Sequence, residues 1–148
     1  MSLCLECGLC CDGTMFQVVP LEAGEAEAVA ACGTLGVHEG RTVIRQRCGA
    51  LGADLKCAVY AGRPAACRKF ECAALVALQR GELSETEARE AIGEVLARRR
   101  AVAVAMGVAD EAVALREARA RDKAGTLGEE VSEALSRLRR ALVLLQVA

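Results

Sequence analysis

Nine cysteines lie between Cys4 and Cys72 and none between Ala73 and Ala148, so a thiol-rich segment is joined to a thiol-free one. This asymmetry restricts the fold more than any other property of the chain. Sulfur gathered so densely has to serve disulfides, soft metal ions, an iron–sulfur cluster or a redox relay, and each of these imposes its own loop geometry. The opening run Cys4-Leu5-Glu6-Cys7-Gly8-Leu9-Cys10-Cys11 places three thiols at three-residue spacing with a fourth adjacent, and Cys32, Cys48, Cys57, Cys67 and Cys72 follow.

Composition and charge narrow the classes. With 148 residues, no Trp, one Tyr and two Phe, any core is built from Ala, Val and Leu, which bury less apolar area per residue and benefit from a covalent or metal staple. The formal net charge is −1 and both halves are nearly balanced, so the basic footprint of a nucleic-acid-binding protein is absent. The apolar run Ala141 to Leu145 is far shorter than the ~20 residues of a membrane span. Met1 to Cys4 contains neither a basic stretch nor an apolar run, so no secretory signal is expected and the expected location is the cytosol. A reducing compartment and an odd cysteine count both disfavour a disulfide scaffold. Abundant Arg, Ala and Gly suggest a high-GC bacterial coding bias.

Periodicity predicts a helix-rich α+β protein: a small cysteine-rich module with short strands over residues 1–75, then a helical unit over 76–148. Met15 to Val19 reads as a strand ended by Pro20, Leu21 to Ala31 as a helix stopped by Gly33, and Arg41 to Arg45 as a second strand. Lys56 to Tyr60 is expected as a third strand, making a small hairpin with Cys48 on one arm and Cys57 on the other. Pro64 suits the first turn of a helix through Phe70. Ser84-Glu85-Thr86-Glu87 has capping-box spacing and should open a helix to about Met106, with Ala88, Ile92, Val95, Leu96, Val102 and Ala103 as its apolar stripe. Thr126 to Glu129 repeats that signature ahead of a face made by Leu127, Val131, Leu135, Leu138, Leu142 and Leu145. Asp110 to Lys123 is a shorter, mostly charged helix. Val143, Leu144 and Val147 widen the last apolar face, which predicts a homodimer or partner contact through the C-terminal helices, with an intramolecular hairpin as the alternative.

The thiol spacing carries the chemistry. C-x-x-C-x-x-C wraps a loop around one compact centre and is the local pattern of cubane iron–sulfur sites, whose fourth ligand comes from elsewhere. Zinc usually takes two separated C-x-x-C knuckles, and no second knuckle occurs here, although structural zinc sites tolerate irregular spacing. Side chains of adjacent residues in extended backbone point oppositely, so Cys10 and Cys11 suit two sites, or one site and a spare thiol. Cys32, at the end of an Ala-rich helix, reads as a small buried hydrophobe. Setting it aside leaves Cys4, Cys7, Cys10, Cys11, Cys48, Cys57, Cys67 and Cys72 as metal ligands, enough for two all-thiolate centres, or for one cluster with spare redox-active thiols. Cys67 and Cys72 would lie about 140° apart on one regular helix, so they serve different centres or a break divides them.

The opening Cys4-x-x-Cys7-x-x-Cys10-Cys11, then Cys48, Cys57 and Tyr60-Ala61-Gly62-Arg63-Pro64-Ala65-Ala66-Cys67-Arg68-Lys69-Phe70-Glu71-Cys72, resembles the bacterial YkgJ-like cysteine-cluster family, whose CxxCxxCC domains are described as chelating zinc or iron. The resemblance covers roughly the first half of the chain and implies metal binding. The same module is similar to the cysteine-rich part of flagellin lysine N-methylases, which adds a metal-dependent group transferase to two other readings, a zinc module and an iron–sulfur electron-transfer or accessory protein. The chain carries no Gly-rich nucleotide fingerprint and no paired-carboxylate or nucleophile–base arrangement, so an enzyme is not the expected class. Arg63, Arg68 and Lys69 are placed to offset thiolate charge, with surface contacts as the alternative. Tyr60 and Phe70 are expected in the small core, His38 in a solvated loop, and Arg98 to Arg100 on a solvated helix face with Glu94 paired to Arg98.

Overall fold

The computed structural model describes residues 3–30 and 35–146. The expectations for Cys32, for a helix stop at Gly33 and for Val147 lie outside the described residues. The chain separates into two compact units, Met1–Phe70 and Glu71–Ala148.

The first unit is organised by a three-stranded antiparallel sheet of β1 (Val18–Pro20), β2 (Leu35–His38) and β3 (Arg41–Arg45), in the order β1-β3-β2. Val43 and Ile44 sit on opposite faces of the middle strand and are 2% and 4% exposed, so both sheet faces are covered. The strand seen at the start of this sheet includes Pro20 instead of ending before it. β1 is an edge strand, where a residue without an N–H costs no ladder bond. The segment expected to hold His38 in a loop is β2: His38 pairs with Arg41 across a two-residue turn. Glu39 and Gly40 have φ of 49° and 75°, the signature of a type I′ hairpin. β2 escapes a pattern reading because its Gly36 and exposed Leu35 and Val37 show no buried alternation.

The remaining elements of this unit are short. α1 spans Cys4–Cys7, α2 spans Glu25–Ala30, and α3 spans Ala65–Lys69 with Pro64 as its N-cap. α2 starts later than its Leu21 expectation because Gly24 adopts φ 84°, which turns the chain before a helix can begin. Val19, Val29 and Ile44 form the core here, with Leu21, Cys48, Ala66 and Cys67 packed against them. The third strand expected over Lys56 to Tyr60 does not form. Leu51 and Cys57 make a single antiparallel bridge, Gly52 N donates to Lys56 O at 2.8 Å, and the chain leaves through a 3₁₀ turn at Tyr60–Gly62. A loop closed this tightly leaves too few residues for a ladder.

The second unit is helical: α4 (Ala73–Gln79), α5 (Glu85–Met106), α6 (Glu111–Lys123) and α7 (Glu129–Val143), with α5 packed against the other three. α5 begins with the expected capping box, in which Glu87 N donates to Ser84 Oγ and Ser84 N donates to the Glu87 carboxylate at 2.7 Å. Ala88, Ile92, Val95, Val102 and Ala103 of the anticipated stripe are buried. α6 is capped by Asp110, whose carboxylate accepts from Ala112 N and Val113 N. α7 lacks the expected side-chain cap: Gly128 is its N-cap, and Thr126 Oγ1 instead donates to Arg121 O at the end of α6. Leu135, Leu138, Leu142 and Leu145 are buried, while Val143 and Leu144 are each 65% exposed.

Arg98 to Arg100 are all ion-paired. Arg98 Nε donates to Glu94 at 2.6 Å, and Arg99 and Arg100 converge on Glu111 at 2.8 and 3.2 Å. Burial by itself would raise the Glu111 pKa, but hydrogen bonds and positive charge from Arg99 and Arg100 outweigh it and hold the carboxyl below its usual value. A carboxylate with a depressed folded-state pKa adds stability above its unfolded value, and that stability is lost as pH falls through the folded value. Glu111→Gln is therefore expected to cost up to about 1 kcal/mol at neutral pH, and the difference from wild type should fade below about pH 4.3. Urea unfolding at pH 7 and pH 3 checks this; an unchanged difference at the two values would assign the effect to packing.

Candidate metal centre

The N-terminal loop is held in shape by its own backbone. Cys4 and Cys7 are the first and last residues of α1, and Gly8 ends it at φ 63°. The positive φ favours glycine at Gly8, and a Cβ there would also press on the Leu55 side chain, coming within 3.2 Å of its Cδ2. Cys11 N and Asp12 N both donate to Gly8 O, Met15 N donates to Leu9 O at 3.1 Å, and Thr14 N donates to the Asp12 carboxylate at 2.8 Å. Leu9 and Thr14 are fully buried and anchor the loop from inside.

Two hydrogen bonds fasten this loop to the chain leaving β3. Gln46 Nε2 donates to Cys10 O at 3.0 Å, and Cys48 N donates to Cys11 O at 2.8 Å. Cys57 is set by its bridge to Leu51, with Ala58 N donating to Ala50 O at 2.8 Å. Cys67 is the third residue of α3, whose start is fixed where Ala65 N donates to Glu25 Oε1 at 2.7 Å. Four separate segments thus present Cys11, Cys48, Cys57 and Cys67 to one another.

Electrostatics shows that the four thiols share a neighbourhood. Burial pushes the Cys11 thiol up to about 12, and Cys48, Cys57, Cys67 and Asp12 add to the rise in that order. Cys67 is raised by burial and then by Cys48 and Cys57, and Arg63 acts in the opposite sense. Sulfurs that raise each other's pKa stay protonated when no cation lies among them, and a bound cation displaces those protons. In donor chemistry and number the set fits a tetrahedral all-thiolate ion. Among the described residues, no three Cys, His, Asp or Glu side chains are already drawn into a common ligand shell.

The other expected ligands fall in two places. Cys10 lies in the same loop as Cys11, and its Sγ is 4.0 Å from Met15 Sδ. Cys72 belongs to the second unit as the N-cap of α4. α3 stops at Lys69 and Phe70 is extended, so a helix break separates Cys67 from Cys72, one of the two arrangements their five-residue spacing allowed. The eight described cysteines are half-buried thiols.

The charged and aromatic neighbours divide differently from the sequence reading. Arg63 stacks over Tyr60 at 3.7 Å and still acts on Cys67, whereas Arg68 pairs with Glu25 and Lys69 with Glu22. Tyr60 is 39% exposed and not in the core; its ring carries the Arg63 guanidinium. The aromatic pair inside the unit is Phe16 with Phe70, edge-to-face at 4.7 Å. His38 is exposed, 3.9 Å from its neighbour Glu39. Gln46 and Met15 were missed from sequence: nothing local marks the first, and the second reads only as a strand residue.

Thiols supplied by four segments of one small unit are the donor chemistry that a metal-chelating domain requires. The sequence model of the CxxCxxCC family, described as "putative zinc- or iron-chelating domain", matches residues 3–93, and the chain belongs to this family. No curated protein matches the chain, and no solved structure does. Among the described residues no helix is long and apolar enough to cross a membrane.

Proposed function

We propose that the first unit is a structural metal-binding module in which Cys11, Cys48, Cys57 and Cys67 hold one tetrahedral ion, zinc in preference to iron. The shared electrostatic neighbourhood of these four thiols carries the reading. When bound, the ion would supply four thiolate bonds between segments that otherwise meet around the small cluster of Val19, Val29 and Ile44. Four thiolates around a divalent ion leave a net charge near −2. Arg63, which lowers the Cys67 pKa, offsets part of it, and the Cys48 N–H bond to Cys11 O keeps two ligand segments in register. The donor set has no open position for substrate, which favours a structural over a catalytic ion.

Anaerobic purification, elemental analysis and a visible spectrum test this reading. A colourless protein containing zinc, with one equivalent lost in Cys57→Ser, is the expected result. A brown protein with stoichiometric iron and acid-labile sulfide would replace zinc by an iron–sulfur cluster, as the C-x-x-C-x-x-C spacing allows.

A further inference from the structure

We propose that Arg45, laid across Gly36, closes the outer edge of the sheet against β2 of a second copy of the chain. The inference is independent of the metal reading and starts from the ladder. Leu21 N donates to Thr42 O and Gln46 N donates to Gln17 O, so the even-numbered residues of β3 and its continuation turn their backbone groups toward the β1 side. The odd-numbered residues then face β2, where Arg41 stands opposite His38 and Val43 opposite Gly36. Leu35 and Val37 alternate with these and direct their N–H and C=O groups away from β3. Among the described residues no further strand lies on that side.

An edge of this kind is a ready template for another strand. β2 is complementary to itself. A two-fold axis at Gly36 sets Leu35 of each copy opposite Val37 of the other in an antiparallel pair, so the outward donors and acceptors of both strands meet. Leu35 and Val37 are also exposed and share one face of the sheet, so the same pairing would bring an apolar cross-strand pair together on each side of the axis.

Arg45 stands in the way. Its side chain rises on the face shared by Val43 and Gly36. A Cβ at Gly36 would run into Arg45 Nε and come within 3.1 Å of Cδ and 3.2 Å of Cζ, and these are the three nearest atoms. The backbone makes no such demand for glycine, since Gly36 is not among the residues of positive φ. Its missing side chain is what lets the arginine cross the strand. Having crossed, Arg45 Nη2 donates to Val37 O at 3.0 Å. The guanidinium thus takes the acceptor that Leu35 N of a second copy would need. It also sets a positive charge beside the two-fold axis, where the same charge of the other copy would oppose it.

The full chain and its variants are compared by sedimentation over about a hundredfold range of concentration, and by hydrogen exchange at the Leu35 and Val37 amides. In the wild type both amides are expected to exchange rapidly at every concentration. In Arg45→Ala they should slow by roughly tenfold or more as concentration rises, while the mass grows toward twice the wild-type value. Gly36→Ala keeps the charge but dislodges the side chain, and should do the same. Adding Val37→Pro to Arg45→Ala removes an outward N–H that β3 does not use, and should restore rapid exchange at Leu35 and the wild-type mass. An unchanged circular dichroism spectrum shows that each variant is folded, and Gly36→Ala decides alone if Arg45→Ala is not. Amides that stay fast in the folded variants would reduce Arg45 to a local contact and overturn the proposal. Concentration-dependent protection of the same amides in the wild type, or association of Arg45→Ala that survives Val37→Pro, would overturn it as well.

Discussion

Cys67→Ser is expected to lose one equivalent of metal and to unfold the first unit, with the helical signal of α5 to α7 largely kept. Ligation of a structural zinc by small domains is worth about 10–16 kcal/mol in apparent terms, and an incomplete shell forfeits much of that. Little else can compensate beside the thiols, because the cluster against which Cys48 and Cys67 pack, Val19, Val29 and Ile44, is small. The metal-to-protein ratio and proteolysis of the segment before Phe70 report the two effects separately. Cys32→Ser is the comparison and should retain metal. A Cys67 variant that keeps its metal while the Cys32 variant loses it would show that the cysteines are divided wrongly.

The second unit should fail for a different reason. Leu138 of α7 is fully buried, and Leu138→Ala is expected to destabilise that unit by about 3–5 kcal/mol through lost transfer energy and a cavity that α5 and α7 cannot close. Leu144→Ala, six residues along and 65% exposed, should change stability by less than about 0.5 kcal/mol. Urea unfolding followed at 222 nm measures both. Equal losses in the two variants would mean that Leu144 is covered by something outside this unit.

The contrast between Leu138 and Leu144 shows how legibility varied along the chain. α5 could be placed almost to the residue because Ser84 and Glu87 make a cap whose partners lie three residues apart, and a stripe repeating over six turns averages out local exceptions. α7 was legible as a stripe but not at its start, since Thr126 had two acceptable partners and bonds back to α6. In the first unit β3 was legible from its alternation, but β2 depends on pairing with β3 and has no buried pattern of its own. The expected strand over Lys56 to Tyr60 failed because β propensity is realised only where a neighbour supplies a ladder, and there one bridge is all that the turn leaves room for.

The sequence by itself determined that sulfur chemistry belongs to the first half, that the second half is helical, and which family the chain joins. These follow from residue type and short-range spacing, which act between neighbours along the chain. Only the tertiary structure decided the grouping of the thiols. Cys11 and Cys67 are fifty-six residues apart, and with Cys48 and Cys57 they come within electrostatic reach because β3 delivers Cys48 to the Cys11 backbone while Glu25 fixes the start of the helix bearing Cys67. The contact of Cys10 with Met15 arises the same way, from a turn closed by Met15 N on Leu9 O. Cysteine spacing limits which sulfurs are able to meet, but long-range hydrogen bonds and the packing of a small core choose which of them do.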